Sequence, residues 1–345
     1  MRISVISFTD QGEKIAEKVK KVLEDQEEVQ IFRKPKGGVC SWTKEQFFSN
    51  HALVFVGACG IAVRATAPLI KDKLMDCAVL VIDEKGKFVI PVLSGHVGGA
   101  NELSKRLAVL LGAQAVITTA TDVNERFAID VFAKNNKLKI LNKSGIVQIS
   151  SKILKGDKIT VSIENYKSKD KCPNEVELLA YPPKKKVDVL ISKDSEIKEK
   201  AVLSLRPREY VLGIGCKEGK EEKELEQFIE KVLENENLTW DDVSYVASVD
   251  RKKHEKGIVD LCIHKGIEYK TFSVEELKRV EGEFQGSEFV QKIIGVDNVC
   301  ERSALACCNG KGTLIAGKRA EKGKTLAIAK KQIEIDWKGR TRDET

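Results

Sequence analysis

The run Leu93-Ser94-Gly95-His96-Val97-Gly98-Gly99-Ala100-Asn101 constrains this chain more than any other. An apolar stretch, Phe88 to Val92, leads into it, and an amphipathic stretch, Glu102 to Leu111, follows. The order reads as a strand, a glycine turn and a helix start. Glycine reaches φ > 0 and adds no side chain, so backbone and ligand can approach closely. A helix N-terminus offers unpaired N–H groups and partial positive charge to an anion. His96 sits inside that turn. A tight connection holding a hydrogen-bonded structural histidine would use the same residues, so the run alone does not decide the chemistry.

The surrounding pattern is α/β. Arg2 to Phe8, Ala52 to Val56, Ala78 to Ile82, Phe88 to Leu93 and Ala115 to Thr118 read as strands. Glu13 to Leu23, the segment from Gly60 to Leu69, and Asn101 to Leu111 read as helices, the first with Ile15, Val19, Val22 and Leu23 on one face. Strand 88–93, helix 101–111 and strand 115–118 make a βαβ unit with parallel strands. The loops Ser94–Gly99 and Thr118–Asp122 should therefore share a rim, where open α/β sheets take ligands. The turn Asp83-Glu84-Lys85-Gly86 reverses the chain. It would put the loop Gly57–Gly60 on the opposite rim of a single sheet.

Three parts are expected. Residues 1–133 form an N-terminal α/β domain with the His96 loop, and 134–205 a small central α+β module. Residues 206–337 form a second α/β domain, and 338–345 a polar tail. The central module shows short β-like pieces at 138–141, 158–163, 175–180 and 187–191, with solvated Lys184–Lys186 between two of them. The last domain is expected to carry strands at 210–214, 245–249 and 268–272. Helices are expected at 220–233, 254–264, 274–279, 287–294 and 303–308, and a closing hairpin pairs 312–316 with 325–331. A length of 345 residues suits two or three domains.

Composition narrows the function classes. No apolar run approaches the ~20 residues needed to span a bilayer. The start, Met1 to Phe8, reads as a first strand rather than a signal peptide, so the expected compartment is the cytoplasm. The nine cysteines are odd in number and form no C-x-x-C pair; they read as reduced thiols in apolar surroundings. Histidine and cysteine never cluster at zinc-ligand spacing. The net charge of +7 comes from lysines spread among glutamates, a solvated surface or a basic groove for a polyanion. Nucleic acid is not indicated, since basic and aromatic residues do not interleave. Gly213-Ile214-Gly215-Cys216-Lys217-Glu218-Gly219 has one residue too many before its last glycine to be a dinucleotide fingerprint. There is no G-x-S-x-G elbow and no Walker lysine.

Three stretches together resemble the CbiG-type cobalt-precorrin-5A hydrolases of anaerobic cobalamin biosynthesis. They are Gly57 to Leu69; Leu93 to Leu103, running on to Ile117–Asp122; and a C-terminal block. That block holds Leu212–Cys216, Ala247–Asp250 and Cys300–Leu305, and it is also similar to the free-standing CobE-type protein. The resemblance covers nearly the whole chain and is weakest between about 135 and 205. It implies a hydrolase that opens a δ-lactone on a cobalt-bound corrinoid. That lactone joins a ring-A acetate to the methylated carbon that ring contraction expels. Water opens it, and the two-carbon unit leaves as acetaldehyde. The resemblance implies no protein-bound cofactor, because cobalt arrives inside the macrocycle. The partner is a cobalt-corrinoid with several carboxylates, with homo-oligomerisation and transient contacts with neighbouring pathway enzymes left open. A non-catalytic corrinoid-binding or carrier protein is the alternative.

Such chemistry needs an acid or base, N–H donors for an oxyanion, and cations or helix N-termini for carboxylates. The catalytic candidates are His96, Asp122 and Glu301. His96 could instead ligate cobalt axially or be structural. Asp122 and Thr121 could orient it, hold a ring carboxylate or cap a helix. The amides of Gly98 and Gly99 could form an anion nest. Gly60, Arg64, Ser94, Gly95 and Asn101 complete the substrate-binding candidates of the first domain. Gly215, Cys216 and Asp250 are those of the last.

Overall fold

The computed structural model describes residues 1–194, 198–287, 291–292 and 294–337. The chain divides into two compact units, Met1–Val131 and Phe132–Thr345.

The first unit is built on a six-stranded sheet. Its strands are β1 (Arg2–Ser7), β2 (Glu28–Arg33), β3 (Ala52–Val56), β4 (Ala78–Ile82), β5 (Phe88–Leu93) and β6 (Gln114–Ala115). The spatial order is β2-β1-β3-β4-β5-β6. Alternation along the strands sends one set of side chains to each face. Val5, Val54 and Leu80 meet Ile15, Val19 and Leu23 of α1 (Asp10–Leu23) and Leu103 and Leu107 of α4 (Ala100–Leu111). Ile6, Leu53, Phe55 and Val79 meet Trp42 of α2 (Gly38–Gln46) and Ala62 and Ala65 of α3 (Cys59–Thr66). The sheet is thus covered on both sides, as a mainly parallel sheet requires.

Direction matters more here than order. β2, β1, β3 and β4 run parallel, β4 and β5 pair antiparallel, and β5 and β6 pair parallel. The loop after β3 and the loop after β5 therefore leave from opposite rims, as the reversal at Gly86 requires. The βαβ unit β5–α4–β6 forms as expected, but its second strand is only Gln114–Ala115, extended by one bond from Val116 N–H to Val89 O. β2 and α2 were not expected. β2 is an edge strand with one buried side chain, Val29, so its alternation is faint. α2 opens on Gly37 and Gly38, which read as a turn.

In the second unit, Val176–Leu179, Ile159–Ile163, Val187–Ile191 and Ala201–Pro207 run parallel, and Leu138–Ile140 joins antiparallel. Helix Lys143–Leu154 buries Ile146, Ile149 and Ile153. It was not expected, because its β-branched residues favour strands. A second five-stranded sheet has the parallel strands Tyr210–Cys216, Val243–Val249 and Glu268–Phe272 and the hairpin Thr313–Glu321 with Lys324–Lys330. Helices Glu222–Asn235 and Lys256–Lys265 cover one face and helix Cys300–Ala306 the other. Residues 334–337 return to the start of this unit. Glu334–Ile335 pairs with Lys167–Ser168, and Trp337 stacks on Phe132 at 5.0 Å. The helix expected over 287–294 and the tail expected over 338–345 fall wholly or partly outside the described residues.

Candidate active site

The loop between β5 and α4 folds onto its own backbone. Ser94 sits at φ +56° and Gly99 at +88°. The amide of Gly99 donates to His96 O at 3.0 Å, that of Ala100 to Ser94 O at 3.1 Å and that of Asn101 to Gly95 O at 3.0 Å. A Cβ at Gly98 would overlap Ser94 Cβ and lie 2.6 Å from the Ser94 carbonyl oxygen. Only glycine lets the loop close this tightly. A Cβ at Gly95 would lie 2.5 Å from Asn101 Oδ1.

That closure holds one imidazole between two carboxylates. His96 Nδ1 is 3.0 Å from Asp130 Oδ2, and Nε2 is 3.0 Å from Asp122 Oδ2 and 3.1 Å from Thr121 Oγ1. The side chains of His96, Asp122 and Asp130 are 16%, 19% and 10% exposed. Asn101 Nδ2 donates to Asp122 Oδ2 and to Thr119 Oγ1, and Lys105 Nζ donates to Asp122 Oδ1 at 3.0 Å. Ser94 Oγ is buried without a hydrogen-bond partner among the described residues.

The electrostatics follow from this arrangement. Burial opposes charge on His96, but the bond and charge of Asp130, then those of Asp122, outweigh it and raise its pKa. Burial works against ionised Asp122, and Lys105, His96 and Asn101 outweigh it and lower its pKa. Burial likewise opposes ionised Asp130, and His96, the Val131 amide and the charge of Lys73 prevail. The raised pKa favours the imidazolium, the form that can donate from both ring nitrogens. The two carboxylates approach opposite ring edges and do not converge on one point. Among the described residues no cluster of His, Cys, Asp and Glu is placed to hold a metal ion.

The structure thus brings together Ser94, Gly95, His96, Gly98, Gly99, Asn101, Thr121 and Asp122. It corrects one expectation. The Gly99 amide is spent on His96 O, so Gly98 and Gly99 do not make a two-amide nest. Gly60 and Arg64 lie on α3, which starts at the opposite rim, with Arg64 exposed. Asp130 was missed. It lies in the first turn of helix Ile129–Asn135, and no motif marks it.

The remaining candidates lie in the second unit. Gly215 and Cys216 end one parallel strand, and Asp250 follows its neighbour, so they share a rim. Burial pushes the Cys216 thiol up to about 11, which keeps it neutral. A Cβ at Gly215 would lie 2.6 Å from Thr325 Oγ1, so close packing uses that glycine. Asp250 is exposed and opens a short turn. Glu301 is buried, and its carboxylate accepts from the amides of Gln285 and Lys318 and from Asn298 Nδ2. These bonds tie three backbone segments together.

Comparison with known proteins matches two separate stretches of the chain. The model described as cobalamin synthesis G N-terminal matches residues 41–122, and that described as cobalamin synthesis G C-terminus matches 210–329. A cobalt-precorrin-5A hydrolase of Salmonella typhimurium is 35% identical over 303 residues, covering 85% of this chain and 85% of its own. A cobalt-precorrin-5A hydrolase of Priestia megaterium is 30% identical, covering 89% of this chain and 84% of its own. A crystal structure of a cobalamin biosynthesis protein G homolog from Sulfolobus solfataricus is 25% identical. It covers 96% of this chain and 97% of that one, with a TM-score of 0.44.

Proposed function

The chain belongs to the cobalamin synthesis G family, and from that premise we propose how its residues carry the family's reaction. It is a cobalt-precorrin-5A hydrolase of cobalamin biosynthesis. It opens the δ-lactone of its substrate and releases acetaldehyde, giving cobalt-precorrin-5B. Cobalt enters as part of the substrate, and in our reading the protein brings no cofactor of its own. We assign the work to the cytoplasm; among the described residues no helix is long and apolar enough to cross a membrane.

The observation that carries the catalytic assignment is the imidazole of His96 fixed between Asp122 and Asp130 inside a glycine loop. Water adds to the lactone carbonyl, its proton passing to bulk solvent, and the acyl C–O bond breaks with its electron pair left on the methylated carbon's oxygen. That oxygen leaves as an alkoxide and needs a proton. His96, held as imidazolium, gives the proton from Nε2. The product alcohol must next lose the same proton as its C=O bond forms and its C–C bond to the macrocycle breaks. Neutral His96 takes it back, and the electron pair passes to the ring carbon. Acetaldehyde leaves. One group thus serves as acid and then base, and Asp130 keeps the ring oriented through Nδ1. Asp122 and Thr121 hold Nε2 between turnovers. Ser94 Oγ and the Gly98 amide are the donors we place towards a substrate oxygen.

The test is turnover. Purified protein given the lactone-bearing cobalt intermediate should release acetaldehyde, detected by coupled reduction, without added metal or nucleotide. Tight binding with no aldehyde would mean a carrier and would overturn the reading.

A further inference from the structure

Three lysines from distant parts of the second unit converge on one tyrosine. Lys137 Nζ lies 5.1 Å from the ring centroid of Tyr245, Lys270 Nζ 4.5 Å and Lys331 Nζ 5.0 Å. Their backbones are pinned. Lys270 lies in strand Glu268–Phe272, Lys331 N–H donates to Glu209 O, and Lys137 O accepts from Arg208 N–H. Tyr245 and Lys270 project from the sheet face that carries Val211, Ala247 and Ala329.

The charges do not balance. Glu268 is the one carboxylate that meets these ammonium groups among the described residues, at 2.7 Å from Lys137 and 3.9 Å from Lys270. No described carboxylate pairs with Lys331. The other acidic groups nearby stay neutral: burial pushes the Cys307 thiol up to about 12 and raises the Tyr245 phenol. Burial, with Lys137 and Lys270 adding to it, pushes the Lys331 amine down to about 8. Any two of the three amines lie at most about 10 Å apart, within roughly one Debye length, so they act on one another and on a common ligand. A cation–π contact offsets only part of the cost of crowding like charges in a half-buried place.

We propose that Lys137, Lys270 and Lys331 form an anion site over Tyr245 that takes a side-chain carboxylate of the corrinoid substrate. The ligand's identity rests on the function given above; the existence of the site does not. Two tethered ammonium groups and a third point charge suit a carboxylate, and Glu268 on the rim excludes a fully anionic contact surface.

Binding of two corrinoids by calorimetry tests it: cobyrinic acid, whose side chains are free carboxylates, and cobinamide, in which they are amides. The full chain should bind the acid and bind cobinamide far more weakly. Lys331→Met and Lys270→Gln should each weaken the acid about tenfold, with unchanged far-UV circular dichroism. Lys85→Gln, on an exposed turn of the first unit, should change nothing. Equal affinity in both site variants would overturn the proposal, and so would no binding of the acid or equal binding of cobinamide. Citrate displacing the acid at equal concentration would mark a small-anion site and overturn the corrinoid assignment. Acetaldehyde release is followed in parallel. Release with unaltered variant affinities removes the site and keeps the function; weakened affinities without release do the reverse.

Discussion

Replacing Asp130 with asparagine should lower the pKa of His96. The carboxylate sits 3.0 Å from Nδ1, and asparagine keeps its size and one oxygen that still accepts from Nδ1–H. Only the charge is lost. A hydrogen bond to a charged partner contributes about 1.5–3 kcal/mol and a neutral one about 0.5–1.5 kcal/mol, so losing the charge alone costs about 1–1.5 kcal/mol. The pKa of His96 should therefore fall, because burial is no longer opposed by a charge on the Nδ1 side. The sign with pH is fixed. The folded pKa of His96 is raised above 6.5, so its contribution is complete below 6.5 and fades as pH rises through the raised value. That of Asp130 is lowered below 3.8, so its contribution is present above 3.8 and fades as pH falls through the lowered value. The variant should be less stable by about 1–1.5 kcal/mol between roughly pH 4 and 6.5, with a smaller deficit as pH rises through the raised His96 value. Imidazole NMR titration reads the pKa directly, since the chain has only four histidines. Denaturant titration at three pH values reads the stability. If His96 titrates alike in both proteins, the Asp130 bond does not set its charge, and the reasoning fails.

Two further substitutions test the close approaches. Gly98→Ala should force the loop open against the Ser94 carbonyl, which lies 2.6 Å from the new Cβ; calorimetry should show a loss of about 1–3 kcal/mol, and acetaldehyde release should fall more steeply. Gly213→Ala would overlap Cys300 O and sit 2.8 Å from Ala304 N. It should destabilise the second unit by about 3 kcal/mol or more, read as a lower Tm.

The His96 loop was legible because a βαβ unit with a short crossover has one geometry. Once strand, glycine turn, helix and strand were recognised, His96 and Asp122 had to face one rim. The opposite placement of Gly57–Gly60 followed from one hairpin. Asp130 was not legible. Its helix is anchored by Ile129, Phe132 and Ala133, all buried at helical spacing, yet nothing local shows that the intervening carboxylate returns to an imidazole 34 residues back. Glu301 read as an acidic group in a helix start; its partners Gln285 and Lys318 come from segments with no pattern of their own. The lysines around Tyr245 stand at 137, 270 and 331, and only the fold makes them neighbours. The expected boundary at 205/206 rests on composition, and residues 334–337 tie back to 132–136 and 167–168 by contacts that composition does not record.

The central claim is that His96 moves the proton in lactone opening and aldehyde release. It is tested most directly by comparing turnover with melting temperature in His96→Ala and His96→Gln. Glutamine keeps a hydrogen-bonding group but cannot shuttle a proton near neutral pH. The account predicts a loss of about 10²–10⁴ in acetaldehyde release for both variants, with far smaller changes in Tm. Variants that melt like the parent and turn over within a few-fold of it would contradict the claim.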